Sequence, residues 1–189
     1  CVSFLLVVVM ALVLFRPGCG AAWSLVSMAL TGAAGGFRTA VAVGAERASL
    51  VSDVARRVSD PLGTAKVLAS AIKRVEGADL ILAATESSDG YTGTTPVQIA
   101  ELLGLPAITF AKHIEVDGTT VKVQRQTEAG YDEVTCPLPA LVTVTAGVVE
   151  PRYPSLKGIM AAKGKQIDQL PEGDRGLDAG PCGAACSGR

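Results

Sequence analysis

Apolar and polar positions along the chain fall into three regimes. From Val2 to Phe15 nearly every residue is apolar, and the run stops at Arg16-Pro17-Gly18. A milder stretch, Trp23 to Leu30, dissolves into the small residues 31–36. After Arg38 short segments of two different periods alternate, and from Pro171 onward no period remains. The middle regime carries the fold. Ala48 to Ser52 reads as a short buried strand, and Asp60-Pro61 as a helix start, a side-chain acceptor followed by a proline whose missing N–H costs nothing there. Leu62, Ala65, Leu68, Ala69, Ile72 and Val75 then recur at helical spacing, with Lys66, Ser70, Lys73 and Arg74 on the other faces. Asp79 to Ala84 is continuously apolar, as in a parallel strand covered on both sides.

A polar loop over 86–96 leads to a second helix from Pro96 to about Leu103, closed by Gly104, and Ala107 to Phe110 opens the next strand. Strand, loop, helix and strand at these lengths make a βαβ unit, so the class is α/β. The signals then turn antiparallel. Ile114 to Val116, an Asp117-Gly118 turn and Thr120 to Gln126 predict a hairpin, with Tyr131 to Thr135 as a third strand. Ala140 to Thr145 returns to a buried strand, and a loop over 147–155 precedes a short helix from Leu156 to Lys163. The tail, 168–189, is expected to be disordered.

Composition narrows the function. With 49% hydrophobic and 19% charged residues among 189, the chain is not disordered as a whole. Seventeen basic against 18 acidic residues, net charge −1, argue against a general nucleic-acid binder. The five cysteines, Cys1, Cys19, Cys136, Cys182 and Cys186, suggest neither a disulfide framework nor a metal site. Cys182 and Cys186 have loose zinc spacing, but the single histidine, His113, lies in a predicted strand far off in sequence. The first apolar run is short for the roughly 20 residues that span a bilayer. It could be a signal-peptide core with Gly20-Ala21-Ala22 as a cleavage site, although no basic segment precedes it. A buried or disordered segment and a frame error remain as other readings. The chain begins with Cys rather than Met, which suggests a fragment or a processed product.

One loop could hold an anion. Residues 87–95 lie between a strand end and a helix start, where ligands of α/β sheets sit. Gly90 and Gly93 let the backbone turn, and the hydroxyls of Thr92, Thr94 and Thr95 could join helix-end N–H groups on a phosphate. Neither the P-loop nor the dinucleotide fingerprint is present, so an ordinary polar loop is the plain alternative. No catalytic set assembles: His113 reads as structural, and Glu86 and Asp89 could orient hydroxyls or a ribose without defining a reaction.

The segments VGAERASLVSD (43–53), SDPLGTAKVLASAI (59–72), GADLILAATESSDGYTG (77–93) and EPRYPSLKGIMAAKGK (150–165) occur in one order that resembles the electron transfer flavoprotein beta subunit family, over about 41–167. The resemblance implies a Rossmann-like parallel sheet with an added antiparallel hairpin. It further implies an electron carrier rather than an enzyme, cytoplasmic in bacteria or in the mitochondrial matrix of eukaryotes. Such a subunit pairs with an alpha subunit that holds most of the FAD. The pair accepts electrons from acyl-CoA and related dehydrogenases and passes them to a quinone oxidoreductase. The beta subunit buries an AMP, whose phosphate loop falls here on Asp89, Gly90, Thr92, Gly93, Thr94 and Thr95. The 150–165 segment implies a recognition loop anchored by Leu156 and widened by Ile159 and Met160. Gln126 stands where relatives often carry an acidic residue near the flavin. Residues 1–40 and the tail do not fit the pattern, which leaves the N-terminal part of the family fold missing or replaced. A sheet without its central strand predicts weak AMP binding and poor pairing with an alpha subunit, or a truncated product without function. A small nucleotide-binding or nucleotide-hydrolysing α/β domain is the alternative from another class.

Overall fold

A computed structural model describes residues 12–16, 22–28, 42, 47–51, 60–75, 77–86, 91–146, 148, 153–164 and 168–170. Along the chain run β1 (Leu12–Arg16), β2 (Ala22–Met28), β3 (Arg47–Val51), α1 (Pro61–Lys73), β4 (Leu80–Ala84), α2 (Thr95–Leu103), β5 (Ala107–Asp117), β6 (Thr120–Thr127), β7 (Gly130–Pro137), β8 (Ala140–Val144), α3 (Leu156–Gly164) and β9 (Asp168–Leu170). The described strands join in one mixed sheet of order β7-β6-β5-β8-β4-β1-β2-β3-β9. β4, β8 and β5 are parallel, and so are β2, β3 and β9. The β5-β6-β7 ribbon is antiparallel, which gives the α/β class with an added hairpin that the sequence predicts.

α1 starts where the Asp-Pro pair places it. Asp60 Oδ1 accepts the Gly63 N–H at 2.7 Å, and Pro61 fills the first turn. The buried face is broader than the six-residue stripe expected. Gly63, Val67 and Ala71 join Ala65, Leu68, Ala69 and Ile72 inside, because the helix packs against α2 along its length and also over the sheet, leaving Leu62, Lys66 and Lys73 outside. Leu62, predicted to face the core, is exposed at the first turn, ahead of that contact. Its alanines allow close approach to Ile81 and Ala83 of β4 and to Ile99 and Ala100 of α2. The opposite face of the sheet buries Leu80, Ile108, Ala111, Val121, Val123, Cys136, Ala140 and Val142. Neighbouring residues of β4 and β8 thus feed two different cores, the reason both segments read as unbroken apolar runs.

β5 is longer than the sequence suggests. It continues past Phe110 to Asp117, pairing parallel with β8 at its start and antiparallel with β6 beyond Ala111. Irregular register on both sides of this changeover hides the strand's continuity from a period-2 reading. The β5-β6 turn is also offset from the Asp-Gly expectation. Asp117 pairs with Thr120, so the two loop residues are Gly118 and Thr119, with positive φ at Gly118 alone, the pattern of a type II′ turn.

Both ends differ from expectation. The middle of the sheet is occupied by β1, antiparallel to β4 and β2, and by β2, so the gap inferred from the unmatched N-terminus is filled. The end of the apolar run therefore forms a sheet strand at β1. Asp168–Leu170, assigned to a disordered tail, forms β9, because the outer edge of β3 offers it a ladder of backbone partners. Residues 171–189 and the cysteines Cys1, Cys19, Cys182 and Cys186 lie outside the described residues. Cys136 is a free, buried thiol whose ionisation burial pushes up. Among the described residues no helix is long and apolar enough to cross a membrane, and no three His, Cys, Asp or Glu side chains gather as metal ligands.

Candidate functional site

The carboxyl edge of β4, β8 and β5 is braced by threonines. Thr85, just beyond β4, donates both its N–H (3.2 Å) and its hydroxyl (2.8 Å) to Val144 O. Thr145, just beyond β8, does the same to Ala111 O, at 3.0 and 3.1 Å. Thr143 is only 1% exposed, and its Oγ1 accepts the Phe110 N–H at 3.0 Å. These hydroxyls replace ladder bonds where the strands part, and they fix the geometry of the edge. The sequence alone marks Thr143 and Thr145 only as strand residues. The clue was threonine recurring in ALVTVT at positions a buried strand would give to valine.

The candidate anion loop leaves this edge from β4. Tyr91, Thr92, Gly93 and Thr94 run into α2 along it, whereas Asp89 and Gly90 lie outside the described residues. Gly93 takes φ 61°, where any side chain would strain the backbone, and a Cβ there would come only to 3.9 Å from Glu86 Oε2 and Thr85 O. The glycine therefore serves the turn rather than a crowded contact. Thr94 is the N-cap of α2, but its side chain makes no capping bond, and Pro96 removes one donor from the first turn. The N–H groups of Thr95 and Val97 and the free hydroxyl of Thr94 face the helix's positive end, the setting that favours an anion. Thr92 and Thr94 are exposed and Thr95 is half-buried, all three at or just before the start of α2. One turn further, Gln98 Oε1 is buried without a hydrogen-bond partner. Such a buried acceptor is a group that a donor would satisfy. The carboxylate of Glu86 is exposed beside the same turn.

A second feature lies on α3. Ser155 starts the helix, its Oγ accepting the Gly158 N–H at 3.1 Å and its carbonyl the Ile159 N–H at 2.9 Å. Gly158 lies so close to the Ala42 carbonyl that any Cβ would collide with that backbone. Gly158 and Ala162, one turn apart, mark the inward side, since Ala162 is 5% exposed. Leu156, Ile159 and Met160 point outward, with Leu156 79% exposed, and Tyr153 adds another open apolar surface before the helix.

His113 belongs to neither feature. It is exposed on the β5-β6-β7 ribbon and lies 3.1 Å from Glu115 Oε1, beside a shallow groove of about 230 Å³ also lined by Lys122, Gln124, Glu133 and Thr135. Gln126 is exposed on β6 opposite Tyr131, so an uncharged side chain stands at the position of the expected acidic group, with Glu133 on the same face of the ribbon.

Residues 20–174 match the electron transfer flavoprotein domain. The chain is 39% identical over 152 residues to the electron transfer flavoprotein subunit beta of Mycobacterium leprae, covering 80% of this chain and 57% of that protein. It is 39% identical over 140 residues to the subunit of the same name from Megasphaera elsdenii, 71% of this chain and 52% of that one. A caffeyl-CoA reductase-Etf complex subunit, CarD, of Acetobacterium woodii is 36% identical over 151 residues, 80% of this chain and 58% of its own length. The chain thus spans between half and three fifths of each of these relatives. A match over most of the sequence, on an α/β sheet of the expected kind, places the chain in the electron transfer flavoprotein family, beside its beta subunits.

Proposed function

We propose that this chain acts as the beta-type subunit of a heterodimeric electron transfer flavoprotein, a carrier of electrons rather than an enzyme. The observation that carries the reading is the turn from β4 into α2, where a left-handed glycine, an uncapped helix start and three threonine side chains meet at the carboxyl edge of the parallel strands. In this reading the turn holds the phosphate of an AMP that serves structure. The N–H groups of Thr95 and Val97 and the hydroxyls of Thr92, Thr94 and Thr95 bind the phosphate, with Asp89 and Gly90 completing the loop. FAD, held mainly by an alpha subunit, supplies the redox chemistry when bound. This chain's residues close the nucleotide edge and offer the open β6 surface around Gln126 to the shared site.

The α3 side chains Leu156, Ile159 and Met160 form the contact for an electron-donating dehydrogenase of the acyl-CoA class. The name of the Acetobacterium relative, a caffeyl-CoA reductase-Etf complex subunit, supports a partner that handles a CoA ester, without bearing on which way electrons pass. A quinone oxidoreductase is the matching acceptor. The filled sheet centre removes the reason to expect poor pairing with an alpha subunit. Co-expression with an alpha subunit from the same source tests the reading. The expected product is a yellow 1:1 complex that releases AMP on denaturation, and a colourless chain that elutes alone would count against it.

A further inference from the structure

We propose that Gly158 is a positioning residue for the partner contact of α3: its bare backbone lets the helix seat on the Ala42 carbonyl, and that seat sets the angle at which Leu156, Ile159 and Met160 meet a dehydrogenase. This rests on the reading of α3 as the dehydrogenase contact and adds the residue that aims it.

The apolar side of α3 faces away from the protein. Leu156, Ile159 and Met160 stand at i, i+3 and i+4, so they share one strip, and all three are exposed, Leu156 to 79% and Met160 to 62%. The inward side carries Gly158 and Ala162, and Ala162 is the one buried residue of the helix. Two such small residues remove little apolar surface from water, so docking of α3 gains little from area. What they permit is close approach. A helix of nine residues is marginal on its own in water, so the few contacts on that side decide where it lies.

Gly158 joins two of those contacts. A Cβ there would collide with the Ala42 carbonyl oxygen and would stand 3.3 Å from both the Ala42 carbonyl carbon and Ser155 Oγ. The same Ser155 Oγ accepts the Gly158 N–H at 3.1 Å, and the Ser155 carbonyl accepts the Ile159 N–H at 2.9 Å. These bonds close the first turn, the turn that carries Leu156. A side chain at 158 therefore pushes on the seat and on the cap at once, and both displacements pass to Leu156. The obstacle at the seat is backbone, so no neighbouring rotamer relieves it.

This role is separable from stability. Whatever the fold loses when α3 lifts from Ala42 is lost with or without a partner. The effect on partner binding acts mainly through Leu156, the most exposed of the three, and fades once that side chain is gone.

The test is a double-mutant cycle on the flavin-loaded complex with an alpha subunit, comparing wild type, Leu156→Ala, Gly158→Ala and the double variant as electron acceptors of an acyl-CoA dehydrogenase. Gly158→Ala should raise the KM for the complex about tenfold, the scale of one displaced leucine, and leave kcat within about twofold of wild type. In the Leu156→Ala background the same substitution should raise KM by less than about twofold, while its cost in the melt is equal in both backgrounds. KM effects that multiply overturn the proposal, because the two residues then act independently, and so does an unchanged KM in Gly158→Ala. An unchanged KM in Leu156→Ala overturns the dehydrogenase reading of α3, and the positioning role with it. If Gly158→Ala does not fold, Ala162→Val, which thickens the same inward side one turn later, takes its place in the cycle with the same outcomes for and against.

Discussion

Leu156 and Gly158 are two residues apart on α3 and opposite in character. The first presents most of its side chain to solvent, and the second admits no side chain because the Ala42 carbonyl occupies the space. Leu156→Ala should therefore leave thermal unfolding within about 0.5 kcal/mol of wild type while slowing reduction of the flavin complex by an acyl-CoA dehydrogenase. Burial of one leucine at an interface is worth roughly 1.5 to 3 kcal/mol. Gly158→Ala should do the reverse in the melt, lowering stability because α3 must lift from Ala42. Paired melts and stopped-flow reduction of the two variants read both effects. Equal melts for the two, or unchanged transfer in Leu156→Ala, would contradict the assignment of the faces. Leu156 could be singled out from the sequence because a resemblance pointed to it. Gly158 and Thr143 could not, since their roles arise from backbone that approaches from distant parts of the chain, and no local period records that approach.

At the scale of elements, legibility followed local chemistry. α1 was readable because Asp60, Pro61 and a run of apolar spacings all act within one segment, and the cap forms as written. Asp60→Ala should cost about 1 kcal/mol, measured as a lower urea midpoint at unchanged slope, since the Gly63 N–H loses its acceptor. A midpoint that does not move would show the first turn to be held by packing alone. Gly104 was equally readable as the end of α2, where it takes φ 68° and donates back to Ala100 and Glu101 carbonyls. The limits of β5, β7 and β9 were not. Each depends on a partner strand: β6 for the second half of β5, the same strand for all of β7, and β3 for the three residues of β9. A strand's length is a property of the pair, so a single segment underestimates it.

Across the whole molecule, the ordered family segments between 41 and 167 gave the class, and the family match over 20–174 takes in β2 as well as β9. What no segment revealed was how the sheet's two parallel groups join. β1 runs against both of its neighbours and links β4 to β2, so one antiparallel strand from an apolar stretch closes the centre. That stretch read as a signal core, a buried segment or an error, because fourteen-odd apolar residues without a period carry no directional information. The α/β core was legible, and its antiparallel seam was not.

β5 makes the molecule more than a core with an appendage. Ala111 pairs with Arg125 of β6 and with Val144 of β8 at once, so a single fully buried alanine sits in both ladders. The outer ribbon and the parallel strands thus share β5, with their hydrogen bonds on its two opposite edges. In native-state amide exchange under rising denaturant, the β6 and β8 amides should converge on one opening free energy, as members of a single cooperative unit. A ribbon that exchanged early through its own denaturant-insensitive opening would contradict this. If the unit is shared, a partner that grips the ribbon also stiffens the nucleotide edge, for the two are one piece of backbone.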